Sequence, residues 1–275
     1  LQKKNNTGVA FNMGNRVLIV AYYWPPAGGP GVQRWLMFVK YLRNFGIEPV
    51  IYAPKNARYP QKDYSLDAEI PDGITVITYP IFEPQMLFTN IFKNKIKRLS
   101  KGIIDSKNQR FIEKTLMWIR GNLFIPDSRK FWVKPSIQYL KKYLKNNPID
   151  IVITTGPPHS LHLIGLGLKK TIGIKWMADF RDPWTTIGYH YQLKLTKASA
   201  ALHKKMEREV LTHADKVLVT SFTTQKEFEA KTSKPVLVIT NGYDNIEIPD
   251  LPLHKKFSIS HIGSLLSGRN PELLW

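Results

Sequence analysis

The 275-residue sequence contains no cysteine, which excludes disulfides, thiolate metal sites and a cysteine nucleophile, and gives no reason to invoke an oxidising compartment. Long apolar runs are also missing: no stretch approaches the roughly 18 residues that a bilayer-spanning helix needs. The opening Leu1 to Asn12 is too polar for a secretory signal, and Met13, directly before a strand-like run, reads as a natural start. These absences predict a cytoplasmic chain in a reducing interior. Acids are scarce, 21 Asp and Glu against 40 Lys and Arg, a formal net charge of +19. The expected partners are therefore polyanions: nucleic acid, phosphorylated ligands or an anionic membrane surface. Nucleic acid drops out, because no recognition-helix pattern, RNP-like motif or zinc-ligand spacing is present. There are no internal repeats or low-complexity tracts.

What is present is ordinary globular material, 43% hydrophobic and 12% aromatic side chains, enough for a sizeable core. Short apolar, β-branched runs recur at Arg16–Tyr22, Pro49–Ala53, Ile74–Tyr79, Asp150–Thr155, Ile174–Asp179, Lys216–Ser221 and Pro235–Thr240. Such runs read as buried parallel strands. Between them, Val32, Trp35, Leu36, Val39 and Leu42 share one helical face, and Gly46 follows where a helix terminates. The alternation predicts an α/β fold, a Rossmann-like, doubly wound, mostly parallel sheet.

The segment 86–147 interrupts that alternation with basic helical stretches, carrying 15 Lys and Arg against three acids, a local excess of +12. Within it, Phe131–Asn146 shows an apolar stripe, and Met86–Leu99 interleaves apolar residues with Lys93, Lys95, Lys97 and Arg98 as an interfacial amphipathic helix does. A solvated helical face is the other reading of that pattern. The expected organisation is a polar leader over 1–12, a Rossmann-like domain over 13–240 with its basic insertion at 86–147, and a linker over 241–256. Residues 257–275 then read as the first strand and helix start of a second domain that is cut short.

In an open parallel sheet, ligands bind beyond the carboxyl ends of the strands, where loops and helix N-termini converge. Three such ends carry unusual residues. The first strand runs into a loop with Gly28, Gly29 and Gly31, whose backbone amides can approach an anion, and Arg34 follows in the first helical turn, where it can pair with phosphate. A tight turn with a surface arginine is the plainer reading. A dinucleotide fingerprint is disfavoured, since Arg34 stands where a third glycine belongs and no acid follows the second strand. After the fourth strand, Thr155-Gly156-Pro157-Pro158-His159-Ser160 presents His159 at the mouth of a helix, as a general base, a donor to a sugar hydroxyl or phosphate, or a capping residue. His162, among Leu161, Leu163 and Ile164, reads as structural. The fifth strand ends in Asp179-Phe180-Arg181-Asp182-Pro183-Trp184. Here Asp179 or Asp182 can accept from hydroxyls, Arg181 can pair with phosphate or its acidic neighbours, and Trp184 can stack on a sugar face. An internal Asp–Arg ion pair that holds the loop is the alternative.

These segments, with Asn241-Gly242-Tyr243-Asp244 and Gly263-Ser264-Leu265 through Arg269, resemble the retaining glycosyltransferases of family 4, of the bacterial cell-envelope type, which adopt the two-domain GT-B fold. The resemblance covers nearly the whole chain. It implies metal-independent transfer of a sugar from a nucleotide-diphosphate sugar to a carbohydrate or lipid-linked acceptor hydroxyl, with retention and without a cofactor, in cell-surface polysaccharide or glycolipid synthesis. It turns the loop Gly28–Gly31 toward the donor diphosphate, sets Arg269 across the cleft from it and places His159 near the transferred sugar. Many relatives have a His-Asp or His-Glu pair where this chain has Asp-Phe-Arg-Asp. The candidate set is then His159, Asp179 and Asp182 as catalytic, Gly28, Gly29, Gly31, Arg34 and Arg269 as phosphate-binding, and Arg181 and Trp184 on the acceptor side, with no metal. The chain up to Trp275 is expected to be inactive by itself. Two competing readings are a non-catalytic module that binds polyanions or membrane through the basic segment, and another Rossmann-like nucleotide-sugar enzyme or an NADP enzyme using Lys55 and Arg58.

Overall fold

The computed structural model describes residues 15–84, 111–188, 190–244 and 256–260. Each of the seven apolar runs is a strand: β1 (Asn15–Val20), β2 (Ile47–Pro54), β3 (Thr75–Tyr79), β4 (Ile151–Gly156), β5 (Lys175–Phe180), β6 (Lys216–Val219) and β7 (Val236–Val238). They form one sheet in the order β3-β2-β1-β4-β5-β6-β7, and every neighbouring pair is parallel. The described helices are α1 (Pro30–Leu42), α2 (Phe111–Leu123), α3 (Lys130–Asn146), α4 (Ser160–Ile172), α5 (Lys197–His213) and α6 (Phe222–Glu229). The fold is therefore α/β and Rossmann-like, as the alternation predicts.

Helices cover both faces of the sheet. Leu18, Val20, Val50, Tyr52 and Val152 pack under Trp132 and Leu140 of α3 and Leu161 and Ile164 of α4. The alternate residues Val17, Ile19, Ile51 and Ile153 pack under Trp35, Leu36 and Val39 of α1. Because both faces are buried, the strands read as continuous apolar runs, and each fully buried aliphatic side chain contributes roughly 1.5–3 kcal/mol. Gly46 ends a short 3-10 turn after α1 at φ 68°, a conformation that favours glycine.

The topology fixes where a ligand can go. From β1 the chain steps outward to β2 and β3, then returns to set β4 on the other side of β1. That reversal opens a crevice beyond the carboxyl ends of β1 and β4, the ends that carry the glycine loop and the His159 turn. Of the basic insertion, α2 and α3 are described, and Phe131–Asn146 lies within α3. The stretch Met86–Leu99, the leader 1–12, most of the linker and Arg269 lie outside the described residues. Residues 256–260 are exposed and irregular, and the remainder of the expected second-domain strand and helix also lies outside them. No helix among the described residues is long and apolar enough to cross a membrane.

Candidate functional site

The three strand-end segments meet through Arg181. Its Nη1 donates to the Gly31 carbonyl at 2.7 Å, its Nη2 to the Pro157 carbonyl, and its Nε to the Gly156 carbonyl at 3.4 Å. The guanidinium also faces the Tyr23 ring, with 5.7 Å to the centroid. One half-buried side chain thus braces the loop after β1, the turn after β4 and its own strand end. Burial pushes its pKa down, against the fields of Asp179 and Asp182, yet an arginine stays charged at any physiological pH. A guanidinium that spends three of its N–H donors on backbone carbonyls, in the fields of Asp179 and Asp182, keeps two donors that can turn to an anion.

The helix end beside it has the same polarity. Gly29, at φ 87°, is the N-cap of α1, supplies no side-chain acceptor, and is followed by Pro30 and a first turn without acids, so the positive end of α1 is not neutralised from within the helix. By contrast α4, which starts at Ser160, is capped from outside. Asp127, in the connection between α2 and α3, accepts from the Ser160 backbone N–H at 2.9 Å and from its hydroxyl at 2.8 Å. The other loop glycines serve packing. A Cβ on Gly31 would lie 3.1 Å from Tyr23 and 3.2 Å from Arg181, and one on Gly28 3.0 Å from Gln61; the backbone bond Gly28 N–H to Gln61 carbonyl, 2.9 Å, ties the loop to the segment after β2.

His159 lies against this junction, 8% exposed, and neither ring nitrogen has a hydrogen-bond partner among the described residues. Its ring is flat on the Trp184 indole, with centroids 4.9 Å apart and planes 3° from parallel, and it contacts the rings of His162 and Phe180. Burial above all, then the neighbouring His162 and Arg181, holds its pKa well below the ordinary histidine value. It is a neutral imidazole with uncommitted nitrogens, able to accept from or donate to a hydroxyl. His162 is structural, as the sequence predicts. Its Nδ1 lies 2.9 Å from Thr154 Oγ1, and burial pushes it down to about 3.

Three sequence assignments change. Arg34 and Asp179, expected at a phosphate and at a reacting hydroxyl, form a fully buried ion pair with each other at 2.9 Å. Asp179 also accepts from Trp35 Nε1 and Thr155 Oγ1, both at 2.8 Å, while the remaining Arg34 donor reaches the Asn241 side chain at 2.9 Å and the Thr240 carbonyl at 3.3 Å. Their polar atoms are spent on joining α1, β4, β5 and the chain after β7. Trp184, expected as a sugar platform, is only 2% exposed, because its face is taken by His159 and its N–H by His203. Asp182 stays at the exposed rim beside Arg181. The same helix α1 holds the Asn-Gly-x-Asp segment further on, with Lys40 and Tyr41 hydrogen-bonded to Asp244 at 2.9 and 2.7 Å.

Residues 106–245 match the sequence profile of Glycosyltransferase Family 4. The chain belongs to this family. No curated protein matches it in sequence. Among solved structures, UGT2 of Phytolacca americana complexed with UDP-2-fluoro-glucose and pterostilbene is 12% identical, covering 82% of this chain and 54% of that one with a TM-score of 0.45. A sucrose-phosphate synthase from Thermosynechococcus elongatus is 10% identical, covering 83% and 90% with a TM-score of 0.42. A UDP-N-acetylglucosamine 2-epimerase is 13% identical, covering 86% and 53% with a TM-score of 0.45. The chain spans about half the length of the plant enzyme it is similar to. Several residues around this cleft gave no signal in the sequence: Tyr23, Asp127, His203 and Glu207 act through contacts distant along the chain.

Proposed function

We propose that this chain is the acceptor-side half of a GT-B enzyme that moves a sugar from a nucleotide-diphosphate sugar to an acceptor hydroxyl, with retention and without a metal ion. Arg181 carries the reading: a half-buried guanidinium that joins all three strand-end segments through their carbonyls, beside the uncapped end of α1. Its remaining N–H donors would meet the diphosphate of a nucleotide sugar, where leaving-group charge develops. This moves Arg181 from the acceptor side to the diphosphate.

His159 then takes a hydroxyl of the transferred sugar, its bare nitrogens serving as acceptor or donor. The bond from the anomeric carbon to the diphosphate oxygen breaks, the acceptor oxygen bonds on the same face, and its proton leaves on the departing phosphate. Asp182, at the rim, faces the acceptor. The local excess of +12 over residues 86–147 supports an acceptor presented at an anionic membrane, in cell-surface polysaccharide or glycolipid synthesis at the inner leaflet. The test is to incubate the full-length protein with uridine, guanosine and adenosine diphosphate sugars and follow nucleotide release and the anomer formed by NMR. Turnover of at least one donor with retention is expected; inversion, or no turnover of any donor with lipid-extract acceptors present, would overturn the reading.

A further inference from the structure

His159 owes its orientation to packing alone, because neither of its nitrogens is hydrogen-bonded among the described residues. The largest surface against it is the Trp184 ring, parallel at 4.9 Å. Trp184 is packed in the main core, and among the described residues its indole N–H donates one hydrogen bond, to His203 Nδ1 at 3.1 Å. An indole nitrogen is only a donor, so Nδ1 must be the acceptor, and His203 is neutral with its proton on Nε2. One helical turn along α5, on the same face, buried Glu207 accepts from the backbone N–H of Thr185 at 3.0 Å and from its hydroxyl at 2.9 Å. Lys231 Nζ stands 3.1 Å from that carboxylate. Two residues of α5 thus fasten two consecutive residues of the loop after β5, the loop that begins with Arg181.

We infer that His203 is a positioning residue for sugar transfer: by holding the Trp184 indole it sets the plane of His159 at the carboxyl edge. The inference rests on the reading of His159 as the group that meets the sugar. Its electrostatics agree with the geometry. Burial, and then the neighbouring His190, push His203 down to about 4, so its Nδ1 lone pair is available at neutral pH. The other charged groups facing it are Asp127 from the connection before α3 and Glu207 from its own helix. Glu207 is already committed to Thr185 and Lys231.

The test compares His203→Leu, which removes the acceptor, with His203→Asn, whose amide oxygen occupies the place of Nδ1. Two readouts are taken on the full-length protein. The first is NMR of selectively labelled protein, with resonances assigned through Trp184→Phe and His159→Gln. In the wild type the Trp184 indole proton should exchange slowly, and the His159 ring protons should be shifted upfield by the indole they lie on. His203→Leu should speed that exchange and return the His159 shifts toward free-imidazole values, and His203→Asn should restore both. The second is turnover: kcat should fall about 10- to 100-fold in His203→Leu, as expected when a group is misplaced by ångströms, with KM for the nucleotide sugar unchanged and kcat recovering in His203→Asn. Unmoved His159 shifts in His203→Leu would overturn the inference whether or not the protein transfers sugar. Moved shifts with wild-type kcat would overturn the positioning role alone, and absence of turnover in the wild type would overturn only the reading beneath it. If His203→Leu does not fold, Trp184→Phe, which keeps an aromatic face and deletes the donor, should give the same His159 displacement, and unchanged His159 shifts there would count equally against it.

Discussion

At the scale of single residues, Arg34 and Asp179 form a cross-link rather than reacting groups. Asp179→Ala would leave the Arg34 guanidinium buried beside no counter-charge, and removing one partner of a buried pair costs about 3–5 kcal/mol. Denaturant unfolding should show a loss of that size; full stability with lost turnover would return Asp179 to the reacting groups. This pair was not legible in the sequence, because its members lie 145 positions apart and spacing rules speak only of near neighbours. The cleft histidines allow a second prediction. His159 and His162 are kept neutral in the fold by burial, while in the unfolded chain each titrates near pH 6.5. Below that pH the unfolded chain binds protons that the folded chain refuses, so stability falls on acidification and levels off above about pH 7. The slope should reach about 1.4 kcal/mol per pH unit for each such histidine. Urea unfolding at pH 7.5, 6.0 and 5.0 measures it, and His162→Asn should reduce the slope; equal stability at all three values would contradict the buried neutral state.

At the scale of elements, the strands were the most legible part, since burial on both faces writes the central ones, β1, β2 and β4, as apolar runs. The three loops with unusual chemistry were legible for the same reason, as each follows directly on a strand. Helix α5 was not, because its buried polar residues His203 and Glu207 leave no apolar stripe to read. Packing of α4 on the sheet yields a third prediction. A Cβ on Gly165 would lie 2.1 Å from Trp176 Nε1, whose indole N–H is fixed on Thr154 Oγ1 at 2.9 Å. Gly165→Ala should therefore destabilise by about 1–3 kcal/mol or more through overpacking, although alanine gains about 1 kcal/mol of helix propensity. A rise in melting temperature would show that the Trp176 ring can yield.

At the scale of the whole molecule, the net charge of +19 and the open parallel sheet pose one question, which polyanion the chain meets. If a membrane presents the acceptor, the full-length protein should co-sediment with anionic vesicles at low salt and be released as salt rises, each basic residue near the surface contributing on the order of 1 kcal/mol. Binding indifferent to lipid charge, or none, would favour a soluble acceptor. Arg181 is the residue on which the proposed chemistry depends, because the Rossmann-like sheet by itself says nothing of the chemistry. Calorimetric titration of the full-length protein with uridine, guanosine and adenosine diphosphates, wild type against Arg181→Met, tests it most directly. At least one diphosphate should bind the wild type and bind the folded variant about 10- to 100-fold more weakly, the worth of hydrogen bonds to a charged group; equal affinity in the two proteins would contradict the account.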